Sequence, residues 1–492
     1  LSGCDECDRV DPNQPFASAE CRIERLMKEM GIASYQVAVA KDGEIIYEKA
    51  FGFANKELRI PTTVESMYLV ASIDKPFVTT ALMILAQRGK IDLRAPANAY
   101  LDESKLTAYQ GDADSATIAR LLLHTTGLPY GYYIAGDQIN DADKRTNADL
   151  VDLAGVLVCP PGSRYQYTNI GYGIFDDILR NAVGEDIKMY ITREIITKLG
   201  LENTKYFDTI PPPQLIVTQN VEEGVLPVAF DKDGYTALYS TAGDLARFGL
   251  LHLKSYHHVA EPILPDSLLD MMWQYHEPQL KTTTRRLGWD VQTDFGLKTV
   301  QHGGGGPGIH NWLYLIPSRG LAIAILSNAW YSSPKSTPVL AALISAALSD
   351  KERGDFDPEA GRGWPRWPRL NPADYSGLWK GLIKGPKGEC ALSAKFDSGG
   401  RLQIRIDGDS CSGQQWLSPT RDVGKSNGSL LWRFDACIPY LYPFAVHDEV
   451  ILTVWPQGSE LVGHAAAAKE KDFGRGENYV LPQFLRLSRS QP

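Results

Sequence analysis

Apolar residues recur along this chain with two periods, and the change from one to the other divides it. In "AECRIERLMKEMG", Ile23, Leu26, Met27 and Met30 fall three or four apart and Gly31 follows, which predicts a short amphipathic helix. "YQVAVAKDGEIIYEKAFG" then reads as strand, Asp42-Gly43 turn and strand, a hairpin signal. From residue 72 to about 255 helical patterns dominate, with loops rich in Pro, Gly and Asp. The first of these helices carries Phe77, Ala81, Leu82 and Leu85 on one side and stops at Gly89. "GLKTVQHGGGGPGIHNWLYLIPSRGLAIAILSN" returns to strands, interrupted by glycines, and "STPVLAALISAALSD" closes the region as an apolar helix with Pro338 in its first turn.

Strands therefore open and close a first domain whose middle is helical. The economical arrangement is an α/β fold: an antiparallel sheet built from both chain ends, flanked by helices, with an all-helical insertion. After a polar tail over 1–16, this domain spans 17–350. Residues 351–373 are charged and rich in Pro and Gly and read as a linker. Over 374–492, "GLWKGLI", "LQIRI", "SLLWRF" and "EVILTVW" are short strands between turn signals, which predicts a small all-β barrel domain.

Composition narrows the function. At 492 residues the chain holds two or three domains, and its 43% hydrophobic and 22% charged content is that of a globular protein. A net charge of −9 leaves no basic footprint for nucleic acid. No run of 18 apolar residues occurs, so no transmembrane helix is expected. The opening "LSGC" resembles a bacterial lipobox, which would make Cys4 a lipid anchor and the protein an exported one. The seven cysteines form no zinc pattern; Cys390, Cys411 and Cys437 cluster late and could include a disulfide in an exported chain.

Three stretches carry candidate chemistry. Ser72 and Lys75 lie one helical turn apart where a helix begins, so an amine can take the hydroxyl proton while the helix N-terminus favours a developing oxyanion. A second such pair, Ser332 and Lys335, lies between a strand and a helix and lacks that geometry. "PPGSRYQYTNIGYGI" places Tyr167 and Asn169 where a loop enters a helix. A tyrosine beside an ammonium can serve as general base, and Asn169 can orient the lysine or a substrate amide. Taken by themselves, these two read equally as a packed aromatic and a helix cap. "QHGGGGPG" sets His302 before four glycines in a strand. Glycines weaken a strand unless something approaches its backbone closely, as a substrate along Gly304 and Gly305 would; the alternative is a flexible loop with a solvated histidine.

Ser-x-x-Lys, Tyr-x-Asn and His-x-Gly in this order resemble the serine β-lactamase and penicillin-binding-protein superfamily, most nearly its class C-like branch with D-aminopeptidases, D,D-peptidases and esterases. "MYLVASIDKPF", "TIARLLLHTTGLP" and "YSTAGDLARFG" look like framing segments of that family, over roughly 17–349. The resemblance implies Ser72 as acylated nucleophile, Lys75 as its proton partner and Tyr167 as general base. It implies that Asn169 and His302 bind substrate, and that the N–H groups of Ser72 and Gly305 form the oxyanion hole. No metal or cofactor is implied, and the partner is a small-molecule or peptide substrate. The C-terminal segment resembles the lipocalin-like domain of some family peptidases.

One departure bears on substrate. His302 stands where class C β-lactamases carry a lysine, and a histidine of ordinary pKa is mostly neutral at pH 7 and charged below about 6.5. This favours peptidase, amidase or esterase action on D-amino-acid peptides or carboxylic esters. A class C-like β-lactamase, or a penicillin-binding sensor that acylates without turnover, is the alternative. "GKSNG" fits a nucleophile-elbow pattern at Ser426, but Asn427-Gly428 reads as a hairpin turn rather than a strand-to-helix turn. His257-His258 lacks further ligands at metal spacing.

Overall fold

A computed structural model describes residues 7, 14–129, 135–136, 151–152, 155–207, 211–221, 224–226, 229–230, 238–255, 262–280, 283–306, 308–328, 336–363, 370–385, 388–406, 416–419, 421–426, 429–434, 449–457, 459–468 and 480–490. The chain forms two compact units: Leu1–Ile91, Val183–His276 and Thr284–Trp364 make the first, and Asp92–Ala182, Glu277–Thr283 and Pro365–Pro492 the second.

The first unit is built on a seven-stranded antiparallel sheet of β1 (Ser34–Lys41), β2 (Glu44–Asn55), β3 (Ile60–Pro61), β4 (Asp290–Asp294), β5 (Leu297–Gly306), β6 (Ile309–Ile316) and β7 (Leu321–Ser327), in the order β4-β5-β6-β7-β1-β2-β3. The first and last strands of this sheet in chain order, β1 and β7, pair at its centre, with Val37 opposite Ile325 and Val39 opposite Ile323. The expected hairpin is present: Asp42 and Gly43 both have positive φ, 49° and 97°, as a tight turn matching strand twist requires.

Side chains on the central strands alternate large and small, and the alternation decides what packs where. Val37, Val39, Ile323 and Ile325 join Ile23 and Leu26 of α1 (Ala17–Met30) with Leu343 and Ile344 of a C-terminal helix, Thr337–Ala347, in one core cluster. Ala38, Ala40, Ala322 and Ala324 point to the other face, which is covered by a helix over Ala242–His252. There the approach is close enough that a Cβ on Gly249 would lie 2.8 Å from that of Ala322 and 2.7 Å from Leu315 Cδ2. Covered on both faces, β1 and β7 are buried at nearly every position.

The helix after the candidate nucleophile, α2 (Asp74–Gln87), differs from its one-sided pattern. Every residue from Asp74 to Leu85 is buried, because the helix is surrounded. Its end near Gly89, whose φ is 65°, is as expected.

The second unit contains a helix over Asn169–Val183, which we label α3, and an eight-stranded antiparallel sheet. The strands are β8 (Gly377–Gly385), β9 (Gly388–Phe396), β10 (Leu402–Ile406), β11 (Arg421–Ser426), β12 (Ser429–Phe434), β13 (Glu449–Gln457), β14 (Glu460–Ala468) and β15 (Val480–Arg489). Their order is β10-β9-β8-β15-β14-β13-β12-β11, so among the described residues the sheet is a curled half-barrel with β10 and β11 as edges, rather than a closed barrel. Burial follows period two: Leu402, Ile404 and Ile406 face a core shared with Trp379, Leu392, Phe396, Trp432, Phe434, Leu452 and Leu485.

Cys7 is disulfide-bonded to Cys21 of α1, a pairing that cysteine spacing did not suggest. Cys390 is buried in the core of the C-terminal sheet. Cys4, Cys411 and Cys437 lie outside the described residues. Among the described residues no helix is long and apolar enough to cross a membrane.

Candidate active site

Ser72 lies in a 3-10 turn, Ala71–Ile73, that runs into α2, so it precedes the helix rather than belonging to it. Ala71 takes φ 51°, in the left-handed region that a side chain disfavours, and such strain persists only where neighbours hold it. They do so here. Val70 N donates to Leu238 O at 2.9 Å, and the buried Asn311 donates through Nδ2 to Leu69 O at 2.9 Å. Strand β5 presses from the other side: a Cβ on Gly304 would lie 2.0 Å from Val70 O. The close approach that Gly304 of β5 permits is thus to the backbone two residues before Ser72.

Lys75 Nζ donates to Ser72 Oγ at 3.1 Å. Lys75 is fully buried, and that burial pushes its pKa well below the ordinary lysine value. The Asp74 carboxylate opposes the shift and the Arg285 guanidinium adds to it. A lowered pKa raises the share of neutral amine, the form that can take a proton from the hydroxyl. Asp74 itself is buried and accepts from Tyr206 Oη at 2.6 Å.

His302 is 2% exposed, so it is not a solvated loop histidine. Its Nδ1 is 2.9 Å from Gly303 O, which requires the proton on Nδ1 and leaves a lone pair on Nε2. Nε2 has no partner among the described residues. Burial first, then Arg285 and Lys75, hold its pKa well below 6.5. The expected charging of this ring near pH 6.5 is therefore corrected: it stays neutral well into the acid range. Beyond it, the Trp312 ring covers Gly303, whereas a Cβ on Gly305 would meet nothing closer than 4.0 Å.

Arg285 escaped the sequence reading, although the doubled arginine of "RRLGWD" was visible. It is 6% exposed and pairs with Asp290 Oδ2 at 3.0 Å. The turn after it sits on α2, where a Cβ on Gly288 would lie 2.4 Å from Thr79 Oγ1, and Thr79 in turn donates to Lys75 O. A fixed positive charge thereby acts on both Lys75 and His302.

Ser72, Lys75, His302 and Gly304 share this neighbourhood in the first unit; Tyr167 and Asn169 belong to the second. There the loop before α3 is pinned to the turn at 124–127. Val158 N donates to Gly127 O, Gly162 N to Thr125 O and Gln166 N to His124 O, at 2.7–2.8 Å. Thr168 N donates to His124 Nδ1 at 3.1 Å, and the Tyr167 ring lies 4.3 Å from that imidazole. Thr168 Oγ1 accepts from Gly171 N at 3.4 Å, so it takes the capping role, while Asn169 Oδ1 has no partner among the described residues. His124 is a second residue the sequence reading passed over, inside the quoted "LLLHTTGLP".

Ser426 ends β11 with Ser429 paired opposite it, which is hairpin and not elbow geometry. Ser332, Lys335, His257 and His258 lie outside the described residues. Among the described residues no group of three or more His, Cys, Asp or Glu could hold a metal ion.

Residues 20–347 match the family model described as beta-lactamase. The chain is 24% identical over 391 residues to esterase EstB of Burkholderia gladioli, covering 69% of this chain and 97% of that protein. Its fold is similar to that of the octameric penicillin-binding protein homologue from Pyrococcus abyssi, with TM-score 0.57 and 20% identity over 95% of this chain and 99% of that one. It is also similar to SurE solved with D-Leu, with TM-score 0.61 and 19% identity over 98% of this chain and 100% of that one. With two thirds of its length under one family model, the chain belongs to the beta-lactamase family and is a serine hydrolase of the β-lactamase and penicillin-binding-protein superfamily.

Proposed function

We propose that this hydrolase cleaves carboxylic esters and amides of small substrates, D-amino-acid peptides and amides among them, through an acyl-enzyme on Ser72. Lys75 holds the Ser72 hydroxyl, and Tyr167, as phenolate general base, takes the Ser72 proton as Oγ attacks the carbonyl carbon and gives it to the departing alcohol or amine. Tyr167 then takes a proton from the water that attacks the ester and returns it to Ser72 Oγ as the acid leaves. The N–H groups of Ser72 and Gly305 stabilise the oxyanion, and Asn169, His302 and Gly304 line the substrate's path.

The observation that carries the substrate preference is the neutral, buried His302 with a free lone pair on Nε2, where a carboxylate-binding lysine would offer a charge. The esterase name of the Burkholderia relative supports the ester arm, and the D-Leu bound to SurE motivates the D-amino-acid arm. Arg285 favours a second reading, β-lactamase action, because a fixed buried cation suits an anionic substrate. The C-terminal half-barrel is read as a lipocalin-like module, and the Cys7–Cys21 disulfide supports export to an oxidising compartment.

The deciding experiment compares kcat/KM for p-nitrophenyl acetate, D-Ala p-nitroanilide and a chromogenic cephalosporin, with intact-protein mass spectrometry after each. Turnover of ester or anilide should exceed that of the cephalosporin. A cephalosporin preference of orders of magnitude would replace this reading with β-lactamase, and a stable adduct without turnover would indicate a sensor. Tyr167→Phe should lower the ester rate by roughly 10²–10⁴.

A further inference from the structure

The loop that carries Tyr167 is held on two sides, and the second is the C-terminal sheet. Val158 and Cys159, at the start of the 158–168 segment, form a separate buried cluster with Trp455 of β13 and Val462 of β14. Trp455 and Val462 are directly opposed in the β13–β14 register, so they present one two-residue platform. Above it the Arg164 guanidinium lies 4.4 Å from the centroid of the Trp455 ring, within cation–π range. Arg164 is buried enough that desolvation lowers its pKa to about 10, so the charge is withdrawn from water and its attraction to the ring is strengthened. All of these residues belong to the second unit.

Two residues, Tyr165 and Gln166, separate Arg164 from Tyr167. Between them Gln166 N is fixed on His124 O, and after them Thr168 N is fixed on His124 Nδ1. The segment is therefore clamped between the 124–127 turn on one side and the Trp455–Val462 platform on the other.

We propose that Trp455 and Arg164 are positioning residues for hydrolysis: the C-terminal sheet holds the Tyr167 loop in working geometry through a cation–π clamp. This rests on Tyr167 being the general base. A base must sit within hydrogen-bond reach of its proton, and a displacement of about 1 Å can cost up to 10²-fold in rate. The C-terminal domain is on this account part of the catalytic apparatus, although it supplies no reacting group.

The test uses the full-length protein with p-nitrophenyl acetate, and thermal melts to establish folding. Trp455→Ala should lower kcat by about 10-fold or more with KM changed less than threefold, since the loop is displaced while the first unit's pocket is untouched. Trp455→Phe, which keeps an aromatic face, and Arg164→Lys, which keeps the cation, should stay within about threefold of wild type. Arg164→Met should reproduce the Trp455→Ala loss, and the double variant should be no worse than the poorer single one, because both break the same contact. If Trp455→Ala does not fold, Arg164→Met decides alone. A kcat within threefold of wild type in the folded alanine or methionine variant overturns the clamp, as does equal loss in Trp455→Phe. Tyr167→Phe measured alongside separates the two ideas: if it is silent the general-base reading fails, and if it alone is impaired only the clamp fails.

Discussion

The two large sheets are both antiparallel and both built from short, turn-linked strands, yet they use their faces differently. In the first unit β1 and β7 are buried on both faces, valines and isoleucines under one layer of helices and alanines under another. In the second, Leu402, Ile404 and Ile406 are buried while Gln403 and Arg405 between them are not. The chemistry of Ser72, Lys75 and His302 lies with the doubly covered sheet. There burial, the first cause in each case, lowers the pKa of both Lys75 and His302 well below their ordinary values. The one-faced sheet braces a loop and also withdraws one charge from water, at Arg164 over Trp455, where desolvation lowers the pKa to about 10.

The contrast is open to test, beginning with the largest effect. Ser72→Ala should abolish turnover and the single fluorophosphonate adduct seen by intact-mass spectrometry; an adduct that persists in the variant would move the nucleophile elsewhere. Next is Gly304→Ala, whose Cβ must displace the Val70 carbonyl. We expect roughly 10²-fold or greater loss of kcat and about 1–3 kcal/mol of stability. Gly305→Ala, whose Cβ would meet no protein atom closer than 4.0 Å, should change stability by less than about 0.5 kcal/mol.

The faces themselves can be compared by pairs. Val37→Ala and Ala38→Leu should each destabilise by about 1–3 kcal/mol, one by a cavity and one by overpacking, because both faces of β1 are filled. On β10, Ile404→Ala should cost about 2–4 kcal/mol while Gln403→Thr stays within about 0.5 kcal/mol. Equal tolerance of Ala38→Leu and Gln403→Thr in thermal melts would remove the distinction between the sheets.

Acid provides a finer probe of the doubly covered region. His252, buried beside Thr80 and Trp289, has its pKa lowered from 6.5 to about 3 by desolvation. Below pH 6.5 the unfolded chain takes up a proton that the folded protein refuses, so stability falls as pH drops from 6.5 towards 3. Over the step from pH 7 to 5 this amounts to about 2 kcal/mol. His252→Gln should shrink the pH 7-to-5 stability loss by about that amount, and an unchanged loss would show that the ring is not held neutral. His302, shifted in the same direction, should add to the wild-type loss, and the pH–rate profile should show no limb near 6.5 from its charging.

Where a feature depends on residues near one another in the chain, it was legible beforehand. The Asp42-Gly43 hairpin, the 17–30 helix, the stop at Gly89 and the period-two strands of the C-terminal sheet all follow from local spacing and turn chemistry. The Ser72–Lys75 pair was legible for the same reason. Ala71 gave no warning of its left-handed backbone, because that conformation is imposed by β5 and Asn311, more than 200 residues away. Arg285 and His124 were passed over because a charge or ring acquires its role from what folding places beside it.

The sequence by itself determined the elements, the order of the motifs and the resemblance that points to Ser72 as candidate nucleophile, since these rest on covalent neighbours and short-range sterics. Tertiary structure decided the electrostatic state of the site. Whether His302 is charged, whether Lys75 can accept a proton and whether Arg285 reaches either are questions of burial and distance. Desolvation is a property of a place in the folded chain, and no residue carries it in its own letter.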